Sequence, residues 1–304
     1  MEEKTNRTSP QVDPAQTISN GELCHACGQS GIGGRKENQD NYAGIDIRDA
    51  VILTVCDGMG GMAGGQTASY IAATEIVSSL AKTSLDHKIT DAIRVAVENA
   101  NNAIYQRAVE EPPLRGMGTT ITVVVITKKA AYLTHIGDSR IYLMRKGKKV
   151  FRTFDHSKVF EMVSQGMMNE EQARQSSFSN VITRALGIRP KVEMDIITLP
   201  FKKGDRFILC CDGIWNIQPE TEMLKLFVDK DNSEDAVKQL TGYVNSKGIE
   251  RGGDYDNLTA IIADMKCDSE YQYSWFHYLK FCNVRLWKGL KSMFKRKNNH
   301  LVSN

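Results

Sequence analysis

No stretch of this 304-residue chain comes near the ~20 consecutive apolar residues that a bilayer-crossing helix needs. The first twenty residues, MEEKTNRTSPQVDPAQTISN, contain no apolar core segment, so they do not read as a secretory signal. They also lack periodicity and are expected to form a mobile leader. Cysteine is sparse and odd in number, seven in all, and Cys56, Cys210 and Cys211 lie inside apolar runs where a thiol serves as a small hydrophobe. No His and Cys set recurs at zinc-site spacing. The lone CHAC of Cys24 to Cys27 has no second pair and is expected to be structural. Net charge is only +3, which makes no case for nucleic acid. No internal repeat is present. These absences leave a soluble globular protein, expected in a reducing, cytoplasmic setting.

What is present is a series of short strands rich in branched residues: AVILTVCD, TTITVVVIT, AYLTHIG, RIYLMRKG, VEMDIITL, RFILCCD and LTAIIADM. Two amphipathic segments follow the first of these, the second opening behind a Thr90 cap. Residues 157–180 suggest two short helices broken at Gly166, and SEDAVKQLTGYVNSK suggests a helix capped by Ser233. Several strands are joined by hairpin-length gaps, which favours antiparallel sheets covered by helices over a doubly wound parallel sheet. The expected divisions are a leader over 1–20, a globular domain over 21–267 and a tail over 268–304.

Carboxylates recur at strand ends. Asp57 closes LTVCDGMGG, Asp212 closes RFILCCDGIWN, Asp40 and Asp256 stand in segments feeding strands, and Asp138 sits in a turn between two strands. Any one could be a simple turn former. If they converge, two ionised carboxylates ~4 Å apart repel by about 4 kcal/mol at an effective dielectric near 20, so a shared site demands cations. All-oxygen ligands select hard ions such as magnesium or manganese.

The motifs GGRKENQD, CDGMGG, GMGTTITVVVI, IGDSRIYLMRKG, DHSKV, NVITRALG, CCDGIWN and DYDNLTAI, in this order over residues 28–265, resemble the metal-dependent protein phosphatase (PPM) family, bacterial serine/threonine type. The resemblance implies an α+β, four-layer α-β-β-α sandwich: two antiparallel sheets flanked by helices, with a metal centre in the cleft. It implies hydrolysis of phosphoserine and phosphothreonine monoesters on proteins, by a hydroxide held between two Mn2+ or Mg2+ ions. By position, Asp57 would bridge the ions, the Gly58 carbonyl, Asp212 and Asp256 would complete the pair, and Asp40 would sit beside them. Asp138 would help hold a third, weaker ion, and Arg35 would clamp the phosphate. Phosphoproteins, and a cognate serine/threonine kinase system that makes them, are the implied partners. The alternative is a pseudophosphatase that binds phosphoproteins without turnover, but the complete set Asp57, Gly58, Asp212 and Asp256 favours an enzyme.

Two departures stand out. Met62 occupies the neighbourhood where the family commonly has a His, and a thioether cannot protonate a leaving group. His135 and His156 are the available substitutes, the first expected to be a packed sheet residue and the second to tie the start of a flap over 157–180. Gln39 stands where some members have Glu. In the tail, Trp275, Leu279, Cys282, Leu286, Leu290 and Met293 form an apolar stripe among Lys280, Arg285, Lys288, Lys291, Lys295, Arg296 and Lys297. Such a helix would pack on its own domain, dock a partner protein, or lie peripherally on the inner face of a membrane.

Overall fold

The computed structural model describes residues 12–85, 88–226 and 232–271; the tail stripe and the Met62 side chain lie outside the described residues. Strands β1 (Gln16–Ser19), β2 (Cys24–Gly31), β3 (Asp40–Ile47) and β4 (Ala50–Met59) come first, followed by helices α1 (Gly61–Ala81) and α2 (Ile89–Glu110). Then come β5 (Gly118–Thr119), β6 (Ile121–Thr127), β7 (Ala131–Ile136), β8 (Arg140–Arg145) and β9 (Lys148–Arg152), with short helices α3 (Lys158–Ser164) and α4 (Glu170–Arg174). The last part holds β10 (Ile197–Leu199), β11 (Arg206–Cys210), α5 (Asp212–Trp215), α6 (Glu220–Lys225), α7 (Ser233–Glu250) and β12 (Leu258–Met265).

The strands form two antiparallel sheets, one ordered β1-β2-β12-β11-β8-β9 and the other β10-β7-β6-β4-β3 with β5 on β4. Strand β4 explains the layering. Its residues alternate sides, and both sides are apolar. Val51, Leu53 and Val55 enter the core between the sheets, where they join Leu143, Phe207 and Leu209. Ala50, Ile52 and Cys56 face the other way, into a second core with Ala72, Ile76 and Leu80 of α1 and Ile93, Val97 and Ile104 of α2. A strand covered on both faces reads as an unbroken apolar run, as AVILTVC does. On the far side, α7 lies on β2 and β12 and contributes Val237, Leu240 and Val244. Helix pair, sheet, sheet and helix make the four layers.

Four boundaries differ from expectation. The chain is structured before residue 20: Val12 bridges to Gly31 and β1 pairs with β2. At the other end the backbone still bonds to the body at Ser269, Glu270 and Tyr271. Helix α2 begins at Ile89 without a side-chain cap, so Thr90 lies inside it. Helix α7 is capped by Asn232, whose side chain accepts from the Asp235 N–H, while Ser233 bonds to Nδ1 of His25 at 2.6 Å. The CHAC cysteines, Cys24 and Cys27, are buried strand residues, and burial pushes the Cys24 thiol up to about 12.

Candidate metal and phosphate site

Asp40 opens β3 and Asp57 lies near the end of β4, and the two are direct cross-strand partners. Like charges placed opposite each other in a ladder destabilise it. The backbone nevertheless holds Asp57 firmly: its N–H donates to Oγ1 of Thr120 (3.0 Å), and its carbonyl accepts from Oγ1 of Thr119 (2.9 Å) and from the Thr120 N–H (2.8 Å). Gly58 donates to the Gln39 carbonyl at 3.1 Å, and a Cβ there would stand 2.1 Å from the Gly65 carbonyl oxygen. Only glycine lets the start of α1 fold back so closely.

The other sheet delivers its acids at the same end. Asp212 is the first residue of α5, directly after β11. Asp256 precedes β12, and Gly213 sits so tightly against it that a Cβ would meet the Asn257 carbonyl oxygen at 2.0 Å. Asp138 occupies the β7–β8 turn, buried, and its carbonyl accepts from the Trp215 indole N–H at 3.0 Å.

The electrostatics join these residues into one cluster. Burial first, and then the carboxylates of Asp212 and Asp256, push the Asp40 carboxyl up to about 7. Burial and then Asp256 raise Asp212 to about 6. Asp57 is held well above the ordinary carboxylate range by burial and then by Asp40, Asp212, Asp138 and Asp256. Asp138 is raised by burial and then by Asp212 and Asp155. Within the described residues, no three Asp, Glu, His or Cys groups stand in range of a single ion with the side chains as placed. Asp256 is turned toward Arg35, which grips it with two hydrogen bonds, Nε to Oδ1 at 3.1 Å and Nη2 to Oδ2 at 2.9 Å. The expected phosphate clamp and one expected metal ligand therefore hold each other.

Asp40 Oδ2 supplies the test of fit for a cation. It is shielded from solvent and has no hydrogen-bond partner. A buried acceptor without a donor costs about 1–3 kcal/mol, more if charged. An oxygen-only donor set around such an atom suits a hard divalent cation. The residues fit the group.

Sequence reasoning missed Asn257. Its Nδ2 donates to the carbonyls of Ile32 (2.8 Å) and Glu37 (3.0 Å), and its Oδ1 accepts from the Gln39 N–H (2.9 Å). One buried carboxamide thus fastens the whole Arg35 loop to the start of β12. Gly33, at φ 63°, completes the seat, since a Cβ there would lie 2.0 Å from the Asp256 carbonyl oxygen. The only hint in the sequence was a polar Asn wedged between Asp256 and an apolar strand.

The two histidines stack on one another, with ring centroids 4.5 Å apart. His135 Nε2 pairs with the Phe154 carbonyl at 2.7 Å, and the Gly137 N–H donates to His156 Nδ1 at 3.3 Å. Burial, then His135 and Arg184, lower His156 to about 3. His156 is neutral at physiological pH. It fastens the start of the flap to the Asp138 turn, as its expected tying role requires.

A two-sheet sandwich with acids gathered at one end defines a class, and the comparisons agree with it. The protein phosphatase 2C family model matches residues 27–272, and the chain belongs to that family. The serine/threonine phosphatase stp of Listeria welshimeri is 32% identical over 234 residues, covering 76% of this chain and 91% of that protein. Among solved structures, the serine/threonine phosphatase Stp1 of Staphylococcus aureus matches with a TM-score of 0.73 at 26% identity, over 82% of this chain and 98% of that one. The catalytic domain of the phosphatase PstP, in complex with two manganese ions, matches with a TM-score of 0.66 at 28% identity, over 80% of this chain and 98% of that one.

Proposed function

We propose that this serine/threonine phosphatase of the protein phosphatase 2C type removes phosphate from phosphoserine and phosphothreonine in proteins with the help of two manganese or magnesium ions. Asp57, the Gly58 carbonyl, Asp212 and Asp256 would hold them, Asp40 would stand beside them, and Asp138 would serve a third. The observation that carries the reading is the gathering of acids at one end of the two sheets, with the buried Asp40 Oδ2 unpartnered among them. Cations bound there supply charge neutralisation and water activation.

The chain's own residues do the rest. Arg35 presents a planar fork suited to two phosphate oxygens, and it sits on a loop that Asn257 keeps in place. The guanidinium is engaged by Asp256, and it would be available to phosphate if that carboxylate held a cation instead. Thr119 and Thr120 keep Asp57 from drifting, because both of its backbone polar groups are bonded to them. Burial, then His135 and Arg184, lower His156 to about 3, so it is not charged near neutral pH and is a poor proton donor to the leaving oxygen.

Phosphoproteins made by serine/threonine kinases are the substrates this chemistry requires. A reducing compartment forms part of the reading, supported by the free thiols of Cys24, Cys27, Cys56, Cys210, Cys211 and Cys267. The test is p-nitrophenyl phosphate hydrolysis with manganese, with and without chelator, in wild type and Asp212→Asn. Activity abolished by both is expected. A rate indifferent to both would reject cation-assisted hydrolysis, and a folded, manganese-loaded wild type without turnover would favour a phosphoprotein-binding module.

A further inference from the structure

Between the flap helices α3 and α4 and the α5–α6 turn lies a cavity of about 290 Å3, walled by Arg140, Phe160, Glu170, Trp215, Gln218 and Glu220. It is separate from the acid cluster but shares a wall with it. Trp215 follows Asp212 by three residues, and its indole N–H holds the Asp138 carbonyl.

The charges around this cavity are all paired. Arg140 grips Asp155 through two bonds of 2.8 and 2.7 Å, and both side chains are buried. Arg174 pairs with Glu171, while Arg152 pairs with both Glu170 and Glu220. A guest finds no spare charge, so a phosphate or a carboxylate gains nothing by entering.

Gln218 is the exception to this tidy pairing. It is 3% exposed, and neither its Nε2 nor its Oε1 has a hydrogen-bond partner. Burying both ends of a carboxamide unpaired costs about 1–3 kcal/mol for each, and native proteins leave few such groups. A carboxamide offers a donor and an acceptor side by side. A single residue of an extended chain is its complement, because its own N–H and C=O point to the same side.

We propose that this cavity is a substrate subsite that takes one extended residue flanking the phosphorylated residue, with Gln218 bonding its main-chain N–H and C=O. The inference rests on the phosphatase reading above. Position supports it: Trp215 lines the cavity and bonds the Asp138 carbonyl, so the cavity adjoins the acid cluster where a phosphorylated residue would lie. Neutrality supports it too, because a cavity with no spare charge favours an uncharged main chain over a charged side chain. Size sets a limit, since the volume lies just below the roughly 300–1,000 Å3 of ordinary ligand pockets and admits a short segment rather than a folded partner.

The test compares substrates with and without flanking chain, using the full-length protein with manganese. Gln218→Met keeps the bulk and removes both polar atoms. The KM for a ten-residue phosphothreonine peptide is expected to rise roughly ten-fold, the loss of one to two modest hydrogen bonds. kcat, and the KM for p-nitrophenyl phosphate, should stay as in wild type. Melting temperature should be unchanged or higher, since a buried unpaired amide has been removed. Ala173→Leu, which fills the cavity from α4, should give the same selective rise if Gln218→Met does not fold. A peptide KM unmoved in both variants would mean that only solvent visits Gln218, and would overturn the proposal. Equal losses on peptide and p-nitrophenyl phosphate would do so as well, by revealing a structural role. Failure of wild type on every substrate would instead strike the phosphatase reading itself.

Discussion

Replacing Asp57 with Asn should make the protein more stable when cations are chelated, although it deletes the central acid of the site. Asp57 and Asp40 face each other across β3 and β4. Directly opposed residues in an antiparallel pair are about 5 Å apart, and at an effective dielectric near 20 two unit charges at that distance repel by about 3 kcal/mol. Burial first, and then the carboxylates of Asp212 and Asp256, favour the protonated form of Asp40, so its folded value lies at about 7 against an ordinary 3.8. Between these values the folded state holds a proton that the unfolded chain has released. Folding therefore loses stability as pH rises through that window. At pH 8 with chelator, Asp57→Asn should melt roughly 6–12 °C above wild type, taking 2–4 °C per kcal/mol for a domain of this size. At pH 5 the gap should shrink, because the wild-type acids are then protonated. Added manganese should raise the wild type strongly and the variant little. Thermal melts by calorimetry at both pH values, with and without manganese, read all of this. A variant less stable than wild type at pH 8 in chelator, or equal manganese stabilisation of both, would refute the charge-cluster reasoning.

Arg35 and Asp256 are both substantially exposed, so their ion pair contributes about 0–1 kcal/mol to folding. Arg35→Ala should leave the denaturant midpoint almost unmoved while raising KM for phosphorylated substrates by about 10- to 100-fold, the loss of a charge-assisted bond of about 1.5–3 kcal/mol; an unchanged KM would remove Arg35 from phosphate binding. Asn257→Ala should cost about 2–4 kcal/mol in urea unfolding, because it leaves two carbonyls and one N–H of the Arg35 loop without partners, and a cost under ~0.5 kcal/mol would show that the loop holds itself. Arg140→Ala should be worse, about 3–5 kcal/mol, since it strands the buried Asp155 carboxylate; a double variant with Asp155→Asn should recover part of that loss, measured by the same unfolding curves.

Local signals were strong enough to reveal the strands and the acids. AVILTVCD is apolar on both faces and ends in an acid, and only a buried strand with a functional terminus makes sense of that pattern. The Gly after Asp57 and the Gly after Asp212 each prove to lack room for a Cβ. Partner choice was harder to read. Nothing local says that Asp40 faces Asp57, since register is fixed by the packing of whole sheets. The grip of Arg35 on Asp256 joins residues 221 positions apart. Strand β1 was hidden because it is short and polar, and depends on β2 for its hydrogen bonds. The α7 cap slipped by one residue because Asn232 and Ser233 are both good caps, and His25, contributed by a distant strand, engages Ser233.

Strand β12 is the last strand of the domain, yet it runs through the middle of its sheet, with β2 on one side and β11 on the other. A ribosome making this chain from its N-terminus delivers that strand after nearly everything else. Until it arrives, β2 and β11 have no common neighbour, and Asp256 and Asn257 are missing from the cleft. Nascent or C-terminally shortened chains thus cannot act early on phosphoproteins, and the long-range closure that completes the sheet should make folding slow. Catalytic competence and the end of folding arrive together.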